Sequence, residues 1–311
     1  MCEVWTMGEM LVEVMRARVG SELFEIDDFI GPFPSGAPAI FIDTVARLGH
    51  TAGIIGGVGR DDFGKVLMDR LVKDGVNTKF VCEDANSSTA VAFVTYFPDG
   101  SRKFLFHLDK TAAVLHKDIK MEEIDKPKFF HIMGCSLMIN EKFRDSITET
   151  AFEFQRNGAK ISFDPNVRPE LLKDGAIDQV LGDILRKTSV LMPGLEELRM
   201  ITGETSIEAG IEKIFHENEK MDLIALKKGS KGSTLYTRHG KLDCPVYEVK
   251  QVDPTGAGDC FDAALLCGII ENKSLAVCGA MASAAGALNV MELGPMEGHI
   301  NRESLKELMD Q

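Results

Sequence analysis

Asp253-Pro254-Thr255-Gly256-Ala257-Gly258-Asp259 is followed at once by the apolar run Cys260-Phe261-Asp262-Ala263-Ala264-Leu265-Leu266. The small residues read as a turn, and the run behind them as a helix that begins near Gly258. Gly256, Ala257 and Gly258 carry almost no side chain, so their backbone N–H groups can converge on an anion. The helix brings its unpaired N–H groups and the positive end of its dipole to the same point. Asp259, in the first turn, can accept a proton from an attacking hydroxyl. An anion cradle beside a base suits phosphoryl transfer, which is chiefly positioning and charge stabilisation. Alone, the segment would serve equally as a tight turn with an Asp cap.

The rest of the chain supplies the context. Val4-Trp5-Thr6-Met7-Gly8 reads as a strand ending in a turn, residues 37–48 as a helix, 51–56 as a strand and 63–74 as an amphipathic helix. Residues 129–132, 160–164 and 223–227 read as further strands, with a helix over 141–157. This alternation predicts a doubly wound α/β sheet whose ligands collect at the carboxyl ends of the strands. Two stretches interrupt it, at about 11–33 and 89–107. In the second, Val91, Phe93 and Thr95 alternate before the turn Pro98-Asp99-Gly100, and Lys103-Phe104-Leu105-Phe106 returns. They predict the strands of a small inserted lid that excludes water when closed. No linker, repeat or low-complexity tract divides the chain, so one domain over residues 1–311 is expected.

Composition limits the partners. Lys and Arg number 35 against 48 Asp and Glu, a formal charge of −13 with no basic block. Such a surface opposes a nucleic-acid backbone or an anionic membrane. No apolar run approaches the roughly 20 residues of a bilayer span, and the amino end lacks a basic segment followed by an apolar core. The seven cysteines show no C-x-x-C pair and no metal spacing. A cytoplasmic enzyme with reduced thiols is expected. Gly57-Val58-Gly59 lacks the third glycine of a dinucleotide fingerprint, and Gly229-Ser230-Lys231-Gly232-Ser233 lacks Walker spacing, so neither a dehydrogenase nor a P-loop enzyme is indicated.

The segment 253–259, with Phe261 and the Ala-rich helix behind it, resembles the C-terminal signature of the ribokinase, or PfkB-type, carbohydrate kinases. Gly56-Gly57-Val58-Gly59-Arg60-Asp61-Asp62-Phe63-Gly64 resembles the family's G-x-D-x-x-G segment, and Pro34-Ser35-Gly36-Ala37-Pro38-Ala39 its substrate-binding glycine turn. Asp164-Pro165-Asn166-Val167-Arg168 is similar to the D-P-N-x-R strand end of its keto-sugar members. Lys227-Lys228-Gly229 is similar to the turn that approaches the nucleotide, and residues 282–294 to the adenine-side helix and loop. The matches span nearly the whole chain in the family's order.

The resemblance implies a ribokinase-like three-layer sandwich with a lid. It implies transfer of the ATP γ-phosphoryl to a primary hydroxyl of a keto-sugar, of the fructose or tagatose type or 2-keto-3-deoxygluconate. Asp259 would be the base, and Gly256, Ala257 and Gly258 the cradle. Glu13, Gly36, Asn166 and Arg168 would surround the sugar; Lys227, Gly229, Gly256, Gly258, Ala285 and Asn289 would surround ATP. Glu197 would meet Mg²⁺ through water, Asp253 and Thr255 would hold K⁺, and the lid would double as a homodimer interface. Ser35, Ile40 and Gly194 depart from the family's usual Gly, Asn and Asn, which leaves the exact sugar and the metal organisation open. Two alternatives stand beside this reading: a nucleoside kinase of the same fold, whose base slot would fall mainly to Phe, and a silent sugar-binding protein. Arg102, Lys103 and His107 are read as edge-strand charges that discourage aggregation, and are left outside the site.

Overall fold

The computed structural model describes residues 2–124, 126–168, 171 and 177–311. Its strands are β1 (Val4–Met7), β2 (Leu11–Arg16), β3 (Phe29–Ser35), β4 (Ala52–Gly59), β5 (Asn77–Asp84), β6 (Ala90–Tyr96) and β7 (Arg102–His107). They continue as β8 (Phe129–Met133), β9 (Lys160–Asp164), β10 (Thr188–Leu191), β11 (Leu223–Lys227), β12 (Ser233–Thr237) and β13 (Gly240–Asp243). Nine form one sheet in the order β13-β12-β11-β10-β9-β8-β1-β4-β5. It is parallel from β11 to β5, with β12 and β13 added antiparallel at one edge.

A parallel sheet covered on both faces needs apolar side chains in both directions. β11 shows how the sequence supplies them: Leu223 and Ala225 point to one core, Ile224 and Leu226 to the other. The first core is closed by the helices Ala37–Arg47, Asp62–Lys73, Ala257–Ile270, Leu275–Asn289 and Arg302–Met309. The second is closed by Glu141–Arg156, Ile177–Leu185, Leu195–Thr202 and Ile207–Glu217. The result is the expected three-layer, doubly wound fold. Helix Ala257–Ile270 is buried from Asp259 to Gly268 because it packs between Ala37–Arg47 and Leu275–Asn289. That explains why its sequence is apolar all round.

The two interrupting stretches form a second sheet, in the order β3-β2-β6-β7. β2 pairs antiparallel with β3 and parallel with β6, placing Glu13 opposite Ala92. Among the described residues no helix is long and apolar enough to cross a membrane. The largest boundary difference from the sequence reading is at β4, which runs through Gly56-Gly57 to Gly59, held by a β5 ladder that extends to Asp84.

Candidate active site

Gly256 caps helix Ala257–Ile270 in the left-handed region at φ 84°. A Cβ there would stand 2.7 Å from the carbonyl oxygen of Pro295, so the position requires glycine. The turn brings the helix N-terminus between two cavities. On one side lies a cleft of about 650 Å³ whose walls include Gly229, Tyr247, Ala257, Gly258, Phe261 and Gly286. On the other, beneath the lid, a narrower cavity is lined by Glu9, Glu13, Gly36, Arg168, Gly256 and Asp259.

The lid-side cavity is strongly charged. Burial, helped by the nearby Asp164 carboxylate, raises Asp259 to about 7 despite the opposing charges of Arg168, Lys227 and Arg102. Glu13 is raised to about 8, by burial first and then by Asp253. Ser35 donates its hydroxyl to Glu13 Oε2 at 3.2 Å, while Oε1 is buried without a hydrogen-bond partner. An orphaned buried acceptor of this kind invites a ligand donor. Ser35 therefore does more than fill a glycine position: it orients the acid. Glu9 accepts from Cys135 Sγ at 3.2 Å and from Ser136 Oγ, and burial raises its pKa.

Several expected contacts fall elsewhere. Asn166 does not line the cavity; its Nδ2 donates to Asp259 Oδ1 at 3.2 Å. Lys227 borders the cleft, but its ammonium is held by Asp164 Oδ2 at 2.7 Å and by both oxygens of Asp262 at 3.1 and 3.2 Å. It is not free to reach out to a phosphate. Glu197 accepts from the backbone N–H of Gly194 at 2.6 Å and of Val167 at 2.7 Å. It thus caps its own helix and ties it to the 164–168 turn. Ala285 and Asn289 are buried and do not face the cleft, where Ser283, Gly286 and Ala287 stand instead. Asn289 Nδ2 donates to the Thr255 carbonyl at 2.7 Å and so braces the 253–256 turn from behind.

The Asp253–Thr255 loop meets the lid. Tyr96 donates its hydroxyl to Asp253 Oδ1 at 2.7 Å and lies 2.6 Å from Thr255 Oγ1. Arg102, directly opposite Tyr96 in the lid ladder, donates to the same Oγ1 at 3.3 Å. Its positive charge acts on both Glu13 and Asp259. The sequence reading leaves Arg102 outside the site, gives Asp164 no role beyond its motif, and assigns nothing to Tyr96, Glu9 or Asp262. Two signals were available: Glu9 directly follows the strand-end Gly8, and Asp262 lies three residues after Asp259, on the same helical face.

Residues 30–301 match the pfkB family of carbohydrate kinases. The chain is 33% identical over 319 residues to Fructokinase-1 of Oryza sativa subsp. japonica, across 99% of this chain and 97% of that protein. Probable fructokinase-4 of Arabidopsis thaliana is 32% identical over 314 residues, 97% of this chain and 95% of the relative. An E. coli protein assigned as a Ribokinase II, solved in complex with ATP and Mg²⁺, superposes with a TM-score of 0.92 at 34% identity, covering 100% of this chain and 99% of that one. With the lid, the two-cavity site and a family match that takes in most of its length, the chain belongs to the pfkB family carbohydrate kinases, a family of phosphotransferases acting on sugars.

Proposed function

We propose that this protein is an ATP-dependent kinase of a keto-sugar, with fructose as the first candidate and Asp259 as general base. The observation that carries the reading is the place of residues 256–259 in the wall between the two cavities. Ala257 and Gly258 line the cleft, while Gly256 and Asp259 line the cavity under the lid. A γ-phosphoryl cradled at the helix N-terminus from the cleft side would meet a hydroxyl offered from the lid side. Asp259 takes the hydroxyl proton as the oxygen bonds to phosphorus and the bond to ADP breaks. The N–H groups of 256–258 stabilise the charge that develops on the transferring oxygens.

ATP would arrive with Mg²⁺, which neutralises phosphate charge. Each Glu197 oxygen accepts one backbone N–H, which holds the carboxylate in place, and from there it would meet the ion through water. The Asp253–Thr255 loop fits K⁺. Asp253 is buried, its three donors leave a lone pair on Oδ2, and no Lys or Arg among the described residues makes an ion pair with it. Support for MgATP comes from the E. coli structure, and for fructose from the names of the plant relatives and the Asp164–Arg168 motif. One observation favours a second reading, an acidic keto-sugar such as 2-keto-3-deoxygluconate: two guanidinium groups, Arg102 and Arg168, act on the same cavity.

A coupled ADP-release assay with MgATP across fructose, tagatose, 2-keto-3-deoxygluconate, ribose and adenosine decides among these. The expected outcome is a kcat/KM for fructose at least tenfold above the rest. A preference for the acid selects the second reading, and turnover on adenosine a nucleoside kinase. Binding of sugar with no ADP release on any member would show a silent binding protein.

The homodimer belongs to the same proposal. Phe29 is 41% and Leu105 48% exposed on the lid's outer face, around Phe93, beside an open groove of about 810 Å³. Covering this apolar face with a second copy would remove it from water. Sedimentation at micromolar concentration should show a dimer, and Leu105→Asp a monomer. A monomeric parent protein would remove this part of the proposal.

A further inference from the structure

A closed loop of buried polar contacts runs behind the Asp259 carboxylate. Asn166 donates its side-chain N–H to Asp259 Oδ1 at 3.2 Å, and its backbone N–H to Asp164 Oδ1 at 3.1 Å. Asp164 Oδ2 receives Lys227 Nζ at 2.7 Å, and the same ammonium reaches both oxygens of Asp262. Asp262 lies three residues after Asp259 in helix Ala257–Ile270, so the circuit returns to the helix where it began. It joins the end of β9, the end of β11 and the helix N-terminus.

The components are built for this connection. Asn166 holds φ at 38°, a left-handed conformation that a non-glycine residue keeps only where its surroundings impose it. From there its backbone N–H meets one carboxylate and its side chain another. Lys227 outweighs burial and holds Asp164 low, while burial raises Asp262 well above the usual carboxylate range. The ammonium is hydrogen-bonded to both carboxyls, the pairing that a buried charge requires. Lys227 also borders the nucleotide cleft, with Nζ 3.7 Å from where a Cβ on Gly258 would stand. The circuit therefore connects the cleft wall to the acid in the sugar cavity.

We propose that Asn166 and Lys227 are positioning residues for Asp259. Together with Asp164 they fix its Oδ1, and so direct Oδ2 at the hydroxyl in the cavity. The proposal rests on the reading of Asp259 as base. It gives the Asp-Pro-Asn turn a task in orienting the base, and Lys227 one in rigidity in place of phosphate contact.

The informative variant is Asn166→Gly, which accepts the positive φ and removes only the side-chain amide. Without the amide that fixes Oδ1 the carboxylate is free to rotate away from the hydroxyl, and kcat should fall roughly ten- to hundredfold, the scale of a misplaced reacting group. KM for ATP and for sugar should stay within about threefold, since neither ligand loses a contact. The acid limb of the kcat–pH profile should move to higher pH, because the carboxylate loses a donor. The other charges around Asp259, those of Asp164, Asp262, Arg102, Arg168 and Lys227, with the Cys135 thiol, are unchanged in this variant. Lys227→Met alone leaves two carboxyls together and is expected to fold poorly. Lys227→Met/Asp164→Asn keeps the charge balanced and should fold, with a kcat loss of the same size.

Asn166→Gly in an Asp259→Asn background should be no slower than Asp259→Asn alone. Parental kcat and pH profile in Asn166→Gly, or a further loss in the double variant, would overturn the proposal. An Asp259→Asn enzyme of near-parental kcat would instead remove the base reading on which it stands.

Discussion

Replacing Asp259 with asparagine is expected to lower turnover about 10²- to 10⁴-fold, the span typical of losing a positioned general base. The asparagine keeps an oxygen for Asn166, so the contact behind the site survives. Stability should move the other way. Asp259 lies at about 7 in the folded protein against an ordinary 3.8, raised first by burial. Between those values the folded state binds more protons than the unfolded one, so its stability falls as pH rises through that window. Asparagine removes the cost, and at pH 8 the variant should melt at or above the parent. With this acid as the base, kcat of the parent should climb with pH through about 7 and level off above it. A flat kcat between pH 6 and 8, or a variant of parental activity, would show that another group takes the proton.

Gly256→Ala should damage both fold and catalysis. The new Cβ would be held at φ 84°, 2.7 Å from Pro295 O, 3.1 Å from Asn289 Nδ2 and 3.2 Å from Ile40 Cγ2. The left-handed conformation alone costs about 1–2 kcal/mol for a residue with a Cβ. Two of the three neighbours are fixed, one as backbone and the other by its bond to the Thr255 carbonyl, so the turn must shift instead. A loss of about 2–4 kcal/mol in urea unfolding is expected. Because the turn aims the cradle N–H groups, kcat should fall at least about 100-fold, the scale of one misplaced oxyanion donor. Undiminished kcat in a folded variant would mean that the N–H groups of 256–258 do not face the reacting phosphoryl.

What the sequence disclosed, and what it withheld, follows physical lines. The alternation within Leu223–Lys227 and the small-residue turn before a helix are local signals, and both give their elements correctly. Local patterning also marked the lid strands, although their pairing is long range. The Asp262–Lys227–Asp164 set was invisible because its members lie on three separate elements and meet only when the sheet assembles. Arg102 reads as an edge-strand charge, and only the fold shows that the lid places it beside Thr255. Ala285 and Asn289 were misplaced for a different reason. Helix Leu275–Asn289 is small and apolar on every side, so its sequence does not reveal which face meets the cleft. The family resemblance points to a helix that does line the cleft, and it cannot set the helix's phase.

Phosphoryl transfer from ATP to a primary sugar hydroxyl can be followed by proton-coupled phosphorus NMR of the parent protein with MgATP and fructose. The expected result is a new phosphomonoester signal split into a triplet by a neighbouring CH₂, growing in step with ADP. A doublet would place the phosphate on a secondary hydroxyl, and inorganic phosphate alone would make the protein an ATPase; either would rule out transfer to a primary sugar hydroxyl.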